Sequence, residues 1–381
     1  MEYGGSTLEA VGIALKQLFD GRFYGRRVLV TGHTGFKGSW LTLWLILINA
    51  NVIGYALKPA TEQDNFVACR LSDSITDLRG DVRDKAHLKA VFEAYKPEVV
   101  FHLAAQPIVR ASYDLPAETM ETNVMGTVNV LENIRACDSV RAGVFITSDK
   151  CYENKEQLWG YRECDAMGGY DPYSASKGCA ELVCASYARS FFSQDCIDKH
   201  ICTARAGNVI GGGDWSPDRI IPDCVRALQG GKPIGVRNPL AVRPWQFVLE
   251  PLYGYLTLAA GLLTAPKKHT GAWNFGPDYS SIVPVGEVAA EVVRLWGSGS
   301  WEDLSQPQKG SNAPHEATLL SLDCTKAKAL LGWRPQLTLK EALGYTLDWY
   351  KAFPHGDIRR LCEQQIAAYC AACTPQAAQN N

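Results

Sequence analysis

The sequence predicts an α/β protein: a Rossmann-like, doubly wound parallel sheet followed by a smaller C-terminal α/β substrate domain. Three observations predict this fold. Apolar strands alternate with helices through the first half of the chain, a glycine-rich turn separates the first strand from the first helix, and residues 207–245 are rich in Gly, Pro and Arg. Strands that alternate with helices form right-handed crossovers, which cover both faces of a parallel sheet.

Hydrophobic patterns place the elements of the first half in order. Residues 40–48 are almost entirely apolar, and this run is far shorter than the roughly 20 residues of a membrane-spanning helix, so it predicts a buried helix. In residues 85–95, Leu88, Val91 and Phe92 share one helical face. Strands are predicted at residues 27–31, 51–57, 75–78, 99–103, 141–148 and 201–206, and helices at residues 37–49, 85–95, 118–136 and 173–192.

The same patterns divide the chain into four parts. Residues 1–21 precede the first clear strand and form an N-terminal extension, in which residues 8–19 fit a short helix. Residues 22–206 form the dinucleotide-binding domain. Residues 207–360 form mainly the substrate domain, with segments that can return to the first sheet, and residues 361–381 form a C-terminal tail.

Composition excludes several classes of protein. The 381 residues carry a net charge of −2, 46% of them are hydrophobic and 20% are charged. This balance excludes disordered, collagen-like and coiled-coil chains, and it provides no electrostatic case for nucleic acid or a membrane as partner. The thirteen cysteines are scattered and no secretory signal is visible, so we expect reduced thiols in a cytoplasmic protein. The seven histidines lack metal-ligand spacing, so no metal site is expected.

The strongest local signal is the glycine-rich turn between the first strand and the first helix. Its spacing is Gly-x-x-Gly-x-x-Gly, without the Gly-Lys-Ser/Thr of a Walker loop. Glycines there permit a tight turn and a close approach of the backbone to a pyrophosphate, and the helix N-terminus attracts the anion. We therefore expect a dinucleotide to contact Gly32, His33, Thr34, Gly35, Phe36, Lys37 and Gly38.

The sequence predicts a dinucleotide but does not decide between NAD and NADP. The second strand ends without the acidic residue that holds an adenosine ribose, and Lys58 would suit the 2′-phosphate of NADP. Asp81 and Val82 follow the next strand, where a carboxylate could meet the adenine amino group. These residues indicate a dinucleotide more firmly than they indicate NAD.

Two groups of polar residues predict acid–base chemistry. Tyr173 and Lys177 lie four residues apart on a predicted helix, which places them on one face, and the ammonium favours the phenolate form of the tyrosine. Ser148, Asp149 and Lys150 follow a predicted buried strand, at the sheet edge where ligands bind in open α/β folds. A loop with a helix-capping Asp is the alternative interpretation of this second group. The chemical interpretation is a second acid–base set, which simple dehydrogenation does not need.

At these residues the chain resembles the extended short-chain dehydrogenase/reductase family, in the branch of NAD-dependent nucleotide-sugar dehydratases. The resemblance covers about residues 25–349. It rests on the glycine loop, the Tyr-x-x-x-Lys pair, Asn123 and the motifs at residues 102–105, 148–152, 243–246 and 322–335. The resemblance implies bound NAD, held also by Leu103, Ala104, Ala105 and Asn123.

The resemblance also implies roles for the acid–base residues. Tyr173 would take the proton of the sugar C4 hydroxyl, Lys177 would hold the cofactor ribose, and Ser148 would hydrogen-bond the C4 oxygen. Asp149 would protonate the C6 hydroxyl so that water leaves. Lys150 stands where the dTDP-glucose relatives carry a glutamate base. It is either a neutral base at C5 or a cation that stabilises the enolate, and the sequence leaves both open.

The implied substrate is CDP-glucose, converted to the 4-dehydro-6-deoxy sugar in deoxysugar biosynthesis. Candidate substrate residues are Gln106, Asn208, Arg219 and Arg243, with Arg110 as a weaker candidate. The alternatives are another nucleotide-hexose 4,6-dehydratase, a nucleotide-sugar 4-epimerase, and a dinucleotide-sensing module without catalysis. The family further implies a homodimer or homotetramer in which helices at residues 118–136 and 173–192 pack across a two-fold axis.

Overall fold

The computed structural model describes residues 17–192, 198–305 and 319–373. The strands within these ranges are β1 (Arg27–Thr31), β2 (Asn51–Ala56), β3 (Thr76–Arg79), β4 (Val99–His102), β5 (Ala142–Ile146), β6 (His200–Ala206), β7 (Asn208–Ile210), β8 (Ile234–Val236), β9 (Val242–Phe247), β10 (Gly271–Phe275), β11 (Ile282–Pro284) and β12 (Trp301–Asp303). The first six confirm the predicted strands to within two residues at each end.

The main sheet has seven parallel strands in the order β10-β6-β5-β4-β1-β2-β3. The order reverses between β1 and β4, and such a reversal opens a crevice at the carboxyl ends of the two strands. Strand β10 lies beyond residue 206, so part of the second half of the chain returns to the first sheet. Two smaller sheets, β11-β9-β7 and β12-β8, complete the second half.

Helices cover the sheet and fill the second half. They are α1 (Phe36–Leu47), α2 (Asn65–Ala68), α3 (Lys85–Tyr95), α4 (Val109–Asp114), α5 (Pro116–Met120), α6 (Gly126–Ala136), α7 (Pro172–Phe191), α8 (Ile220–Gln229), α9 (Leu249–Leu262), α10 (Pro266–His269), α11 (Val285–Trp296), α12 (Thr325–Leu330), α13 (Leu339–Ala352) and α14 (Ile358–Cys373). Helix α1 is buried over most of its length, as the apolar run predicts. No helix among the described residues combines the length and the apolar character that a membrane crossing requires.

The predicted helix at residues 118–136 is interrupted. Helices α5 and α6 are joined by a π-helical turn over Glu121–Met125. Inside this turn the Asn123 side chain accepts a hydrogen bond from the Gln106 backbone N–H and donates one to the Ser176 hydroxyl. The partners of Asn123 lie on other segments of the chain. The hydrophobic pattern of residues 118–136 does not contain this information, so it predicts one continuous helix.

The two ends of the chain differ from the sequence-based expectation in detail. The expected helix at residues 8–19 lies mostly outside the described residues, and Leu18–Gly21 forms a 3₁₀ turn. Residues 361–373, which fall in the predicted tail, belong to α14. One face of that helix is buried and packs into the main core. This face includes Cys362, Ile366, Tyr369 and Cys370.

A buried carboxylate fastens this C-terminal region to helix α9. Glu250 Oε1 accepts hydrogen bonds of 2.8 Å from the backbone N–H groups of Gln336 and of Leu337. Its Oε2 accepts one from the Tyr369 hydroxyl. Burial raises the pKa of Glu250 to about 7, although these three hydrogen bonds act in the opposite direction. Glu250 therefore belongs to the packing of the C-terminal helices.

Candidate active site

The glycine-rich turn forms the floor of the crevice between β1 and β4. Gly32 has φ +75°, and a Cβ there would lie 2.7 Å from the Ala104 backbone nitrogen. Gly35 precedes helix α1, and no side chain caps the first-turn N–H groups of that helix. A backbone that leaves no room for a side chain, beside uncapped N–H groups of a twelve-residue helix, fits the pyrophosphate of a dinucleotide.

The side chains of His33 and Thr34 contact residues of β2, of β3 and of the segment after β2. The buried His33 ring fills the space above Gly54 and lies 2.7 Å (Nε2 to Oδ1) from Asp77. Thr34 Oγ1 donates to the Leu57 carbonyl oxygen at 3.0 Å. Burial lowers the pKa of His33, although the hydrogen bond to Asp77 raises it. Both side chains therefore hold the turn against β2 and β3.

Lys37 extends from the turn towards the predicted acid–base residues. Burial, together with the nearby charges of Lys177 and Arg219, lowers the pKa of its ammonium to about 7, although Asp149 acts to raise it. The sequence predicts Lys37 only as part of the cofactor loop. The structure brings it near these three charged residues as well.

At the far end of the crevice, Asp81 and Val82 follow β3. The Asp81 carboxylate pairs with the Arg83 guanidinium at 2.7 Å, and this hydrogen-bonded pair lowers the pKa of Asp81. The Val82 carbonyl oxygen accepts a hydrogen bond from Asn129 Nδ2 at 2.9 Å. Asp81 thus lies partly exposed beyond the carboxyl end of β3, on the side of the crevice where the adenine is expected.

The loop after β4 lies across the turn and is tied to α7. Ala104 packs against Gly32, and its backbone N–H donates to Thr31 Oγ1 at 3.3 Å. Asn123 links this loop, through Gln106, to α7. The Gln106 side chain is engaged inside the loop, because its Nε2 donates to Thr119 Oγ1 and its Oε1 accepts from the Ile108 N–H. The Gln106 side chain is thus hydrogen-bonded within its own loop.

Tyr173 and Lys177 occupy one face of α7, which begins after the capping residue Asp171. Both side chains are buried. Burial raises the pKa of Tyr173 to about 12, while a hydrogen bond with Ser148 and the charge of Arg219 lower it. Burial lowers the pKa of Lys177 to about 8, and its Nζ donates to the Ile146 carbonyl oxygen at 3.4 Å. Both residues therefore lie buried on one helix, four residues apart, as the sequence predicts.

Ser148, Asp149 and Lys150 follow β5 directly. The Ser148 hydroxyl donates to Asp149 Oδ1 at 2.9 Å, and the Lys150 N–H donates to Ser148 Oγ at 3.3 Å. Burial raises the pKa of Asp149, although Lys150, Ser148 and Arg243 lower it. Ser148 also acts on the pKa of Tyr173, so its hydroxyl lies near both the phenol and the carboxyl. The structure thus brings the two predicted acid–base sets into one site.

Residues from the second half of the chain close the site. Arg219 pairs with Asp214 (Nη1 to Oδ2, 2.7 Å), and its charge acts on Tyr173. Arg243 is buried on β9, and its charge acts on Asp149. Asn208, at the start of β7, is the register partner of Trp245 on β9.

Arg110 lies at the rim of this region. It is more than half exposed, and its Nη1 lies 3.4 Å from the Asp218 carboxylate. Asp218 also pairs with Arg237 at 3.1 Å. Arg243 is thus a buried cation beside the acid–base residues, Arg219 is a partly exposed one, and Arg110 belongs to the surface ion pairs.

Sequence reasoning missed one charged pair beneath the acid–base residues. Glu181 on α7 and Arg205 on β6 form a buried salt bridge of 2.7 Å. Two signals could have revealed it. Arg205 interrupts an otherwise mostly apolar strand, and Glu181 continues the four-residue spacing of Tyr173 and Lys177 along one helix face.

Comparisons with known proteins agree with this geometry. The family model described as GDP-mannose 4,6 dehydratase matches residues 29–346. A protein named CDP-glucose 4,6-dehydratase, from Salmonella typhimurium, is 48% identical over 362 residues, which covers 94% of this chain and 100% of that protein.

Solved structures share the fold at lower identity. A dTDP-glucose 4,6-dehydratase from Streptomyces venezuelae, with NAD and TYD bound, superposes with a TM-score of 0.71 at 23% identity over 86% of this chain and 97% of that one. A UDP-glucose 4-epimerase from Thermotoga maritima, with UDP-glucose, has a TM-score of 0.70 at 24% identity and covers 85% of this chain and 98% of that one.

Proposed function

The chain belongs to the GDP-mannose 4,6-dehydratase family, and on that premise we propose that it converts CDP-glucose to CDP-4-dehydro-6-deoxy-glucose and water. The observation that carries the proposal is the buried Asp149, which accepts a hydrogen bond from Ser148 and lies close enough to Tyr173 for its charge to act on the phenol. A sugar epimerase or a simple dehydrogenase needs the tyrosine and the lysine, but it has no use for a second buried acid beside them.

NAD fits the crevice between β1 and β4. Gly32 and Ala104 leave a close backbone approach for the pyrophosphate, and the uncapped N-terminus of α1 provides N–H groups for it. Asp81 and Val82 would lie at the adenine, and Lys177 at the nicotinamide ribose. When bound, NAD supplies a hydride acceptor for the sugar C4 and a hydride donor for C6.

The residues of the chain would move the protons of the reaction. Tyr173 takes the C4 hydroxyl proton as the C4 hydrogen leaves as hydride, which makes the C4 carbon a ketone. The ketone acidifies the C5 hydrogen, and its removal as a proton accompanies loss of the C6 hydroxyl as water, for which Asp149 donates the proton. Hydride then reaches C6 and a proton returns to C5, so no net oxidation or reduction remains.

The environment of each acid–base residue suits its proposed step. The raised pKa of Asp149 keeps its carboxyl protonated to a higher pH than a free aspartic acid, as a general acid requires. Arg219 and Ser148 favour the phenolate of Tyr173 against the effect of burial. The half-buried Lys150, whose charge acts on Asp149, would either take the C5 proton or stabilise the resulting enolate.

The diphosphate of the substrate would bind in the second half of the chain. Arg243 and Arg219 are cations whose charge acts on the acid–base residues, and a guanidinium fork matches phosphate oxygens. Asn208 lies on β7 beside the same strand as Arg243. We assign the sugar to the space between these residues and the carboxyl ends of β4 and β5.

We further propose that two copies associate through α5, α6 and α7. Large apolar side chains are exposed on or next to these helices: Leu115, Met125, Leu182 and Phe191. A second copy would cover such side chains.

The state of the cysteines supports a proposal about location. Those among the described residues are free, which suits a reducing compartment such as the cytoplasm.

A panel of nucleotide sugars tests the proposed function. CDP-, dTDP-, GDP- and UDP-glucose are offered separately and the products are identified by mass, with Tyr173→Phe as the inactive control. We expect CDP-glucose alone to lose one water efficiently. An unchanged hexose mass with an inverted C4 would identify an epimerase, and NAD binding without turnover of any sugar would identify a sensing module; either result contradicts the proposal.

A further inference from the structure

The salt bridge between Glu181 and Arg205 is fully hydrogen-bonded. The two side chains are 4% and 3% exposed, with Arg205 Nη2 at 2.7 Å from Glu181 Oε2 and Nε at 2.9 Å from Oε1. Thr203 donates a hydrogen bond to Oε2, and Thr147 donates one to Oε1. Each carboxylate oxygen therefore has two donors. A buried ion pair is often no more stabilising than apolar residues of similar volume, so its presence calls for a reason other than stability.

The hydrogen bonds of this pair hold both ends of one short segment. Thr147, which contacts Glu181, directly precedes Ser148. At the other end, Arg205 Nη1 donates to the Tyr152 hydroxyl at 2.6 Å, and the guanidinium carbon lies 4.9 Å from the centre of the Tyr152 ring. Residues 147 and 152 thus flank the segment that carries Ser148, Asp149 and Lys150.

The same pair is anchored to the other acid–base element and to the sheet. Glu181 lies one turn beyond Lys177 on α7, on the face that also carries Tyr173. Arg205 lies on β6, and the Tyr152 hydroxyl donates onward to Asn274 on β10. One ion pair therefore connects the segment 147–152, the helix of Tyr173 and Lys177, and two strands of the main sheet.

We propose that the Glu181–Arg205 ion pair positions the acid segment 148–150 against Tyr173 and Lys177 for the dehydration. This inference rests on the proposed function and adds two positioning residues to it. Neither side chain touches the site where the sugar would react. Their effect passes through Thr147 and Tyr152 to the acid, and through α7 to the phenol and the ammonium.

The pair also sets the charge around Lys177. The groups that act on or respond to this ammonium are Lys37 from the glycine turn, His102 from β4, Cys151 from the turn after β5, and Cys184 and Glu181 from α7. Burial lowers the pKa of His102 to about 3 and raises those of both thiols, so all three stay neutral near pH 7. Among these groups, Glu181 is the anion that raises the pKa of Lys177 against the effect of burial.

Glu181→Gln tests the inference, with Glu250→Gln as the matched control. Glu250 is also a buried, multiply hydrogen-bonded carboxylate, but it fastens the C-terminal helices. We measure kcat and KM for CDP-glucose, the pH profile of kcat/KM, and the thermal unfolding temperature. For Glu181→Gln we expect kcat to fall about tenfold or more at nearly constant KM, because small displacements of reacting groups cost that much.

The pH profile separates positioning from a loss of folded protein. Without Glu181, Lys177 loses its proton at lower pH, so the alkaline limb of the Glu181→Gln profile moves to lower pH. The Glu250→Gln profile stays at its wild-type position. Wild-type kcat and pH profile in folded Glu181→Gln would overturn the inference.

A second variant serves where Glu181→Gln does not fold. Thr147→Val keeps the volume and the ion pair but removes the hydroxyl that contacts Glu181. We expect it to lower kcat about threefold or more with unchanged KM, an effect of the size of one lost hydrogen bond. Wild-type kcat in Thr147→Val would then overturn the inference. The wild-type enzyme in the same assay separates the positioning role from the proposed function. Inactivity of the wild type on CDP-glucose would contradict the proposed function, whereas the variants test only the positioning role.

Discussion

The Ser148 hydroxyl donates a 2.9 Å hydrogen bond to the Asp149 carboxylate at the buried carboxyl end of β5. The same hydroxyl lies near the Tyr173 phenol and lowers its pKa. The group that would take a proton at C4 and the group that would give one at C6 are therefore connected through one side chain. This arrangement would let both half-reactions act on a single sugar that does not need to leave between them.

Removal of the Asp149 carboxyl should block the loss of water but leave the earlier oxidation at C4. In Asp149→Asn, the amide keeps the volume and can still accept from Ser148, but it has no proton to give to the C6 hydroxyl. We expect overall dehydration to fall by at least about 100-fold, the usual contribution of a general acid. Oxidation at C4 should persist, measured as reduced nicotinamide in a single turnover. Full dehydration by Asp149→Asn would remove this residue from the proposed role.

Lys150 should matter at C5 rather than at C4. Lys150→Met removes both the amine and its charge while keeping a long side chain of similar shape. Whether the amine takes the C5 proton or stabilises the enolate, we expect incorporation of solvent deuterium at C5 to slow by about tenfold or more. Mass spectrometry of recovered substrate and product measures it. Wild-type deuterium incorporation in this variant would show that Lys150 takes no part at C5.

The glycine turn should tolerate no side chain at its first glycine. Gly32→Ala forces a left-handed backbone on alanine (φ +75°) and puts its Cβ 2.7 Å from the Ala104 nitrogen. We expect NAD affinity, measured by titration calorimetry, to fall by about tenfold or more.

The control for this variant is Gly344→Ala in α13, where no atom lies within 4 Å of the added Cβ apart from the adjoining residues and the helix's own backbone. It should keep NAD affinity and raise the free energy of unfolding by about 0.5–1 kcal/mol, because alanine favours helix over glycine. Equal NAD affinity in Gly32→Ala and Gly344→Ala would contradict the assignment of the turn.

The buried Glu250 should make stability depend on pH. Its pKa rises from 4.5 to about 7 on folding because it is buried. A carboxyl with a raised folded-state pKa contributes stability that is full below about pH 4.5 and is lost as the pH rises through about 7, by roughly 3 kcal/mol. Glu250→Gln should remove this slope, measured by urea unfolding across that range.

Glu341, in the capping box of α13, serves as a control because folding lowers its pKa, whereas folding raises the pKa of Glu250. The hydrogen bonds of Thr338 lower the pKa of the exposed Glu341, so its contribution is present above the unfolded pKa and is lost as the pH falls. Glu341→Gln should leave the slope between pH 4.5 and about 7 as in the wild type. An unchanged slope in Glu250→Gln would show that this carboxyl is not the group responsible.

The sequence predicts the main sheet well because its signals are local. The apolar run of β1, the glycine turn and the period of α3 each lie within a dozen residues, and each element forms as expected. Tyr173 and Lys177 are placed correctly for the same reason, since four residues on a helix determine a common face.

The features that sequence analysis misses depend on contacts between distant residues. The break at Glu121–Met125 is held by Asn123 through loop and helix atoms on other elements. Glu181 and Arg205 are 24 residues apart and meet only because α7 packs on β6. The Gln106 side chain is used by its own loop, which no pattern of residue types indicates.

The path of the C4 hydrogen tests the central claim most directly. CDP-glucose labelled with deuterium at C4 is mixed with unlabelled substrate of distinguishable mass, and the products are analysed for label at C6. If Tyr173 and Asp149 serve one sugar in one site, the product loses a water and carries its own deuterium at C6. Deuterium released to the solvent, exchanged between the two sugars, or kept at C4 of an intact hexose would contradict the account.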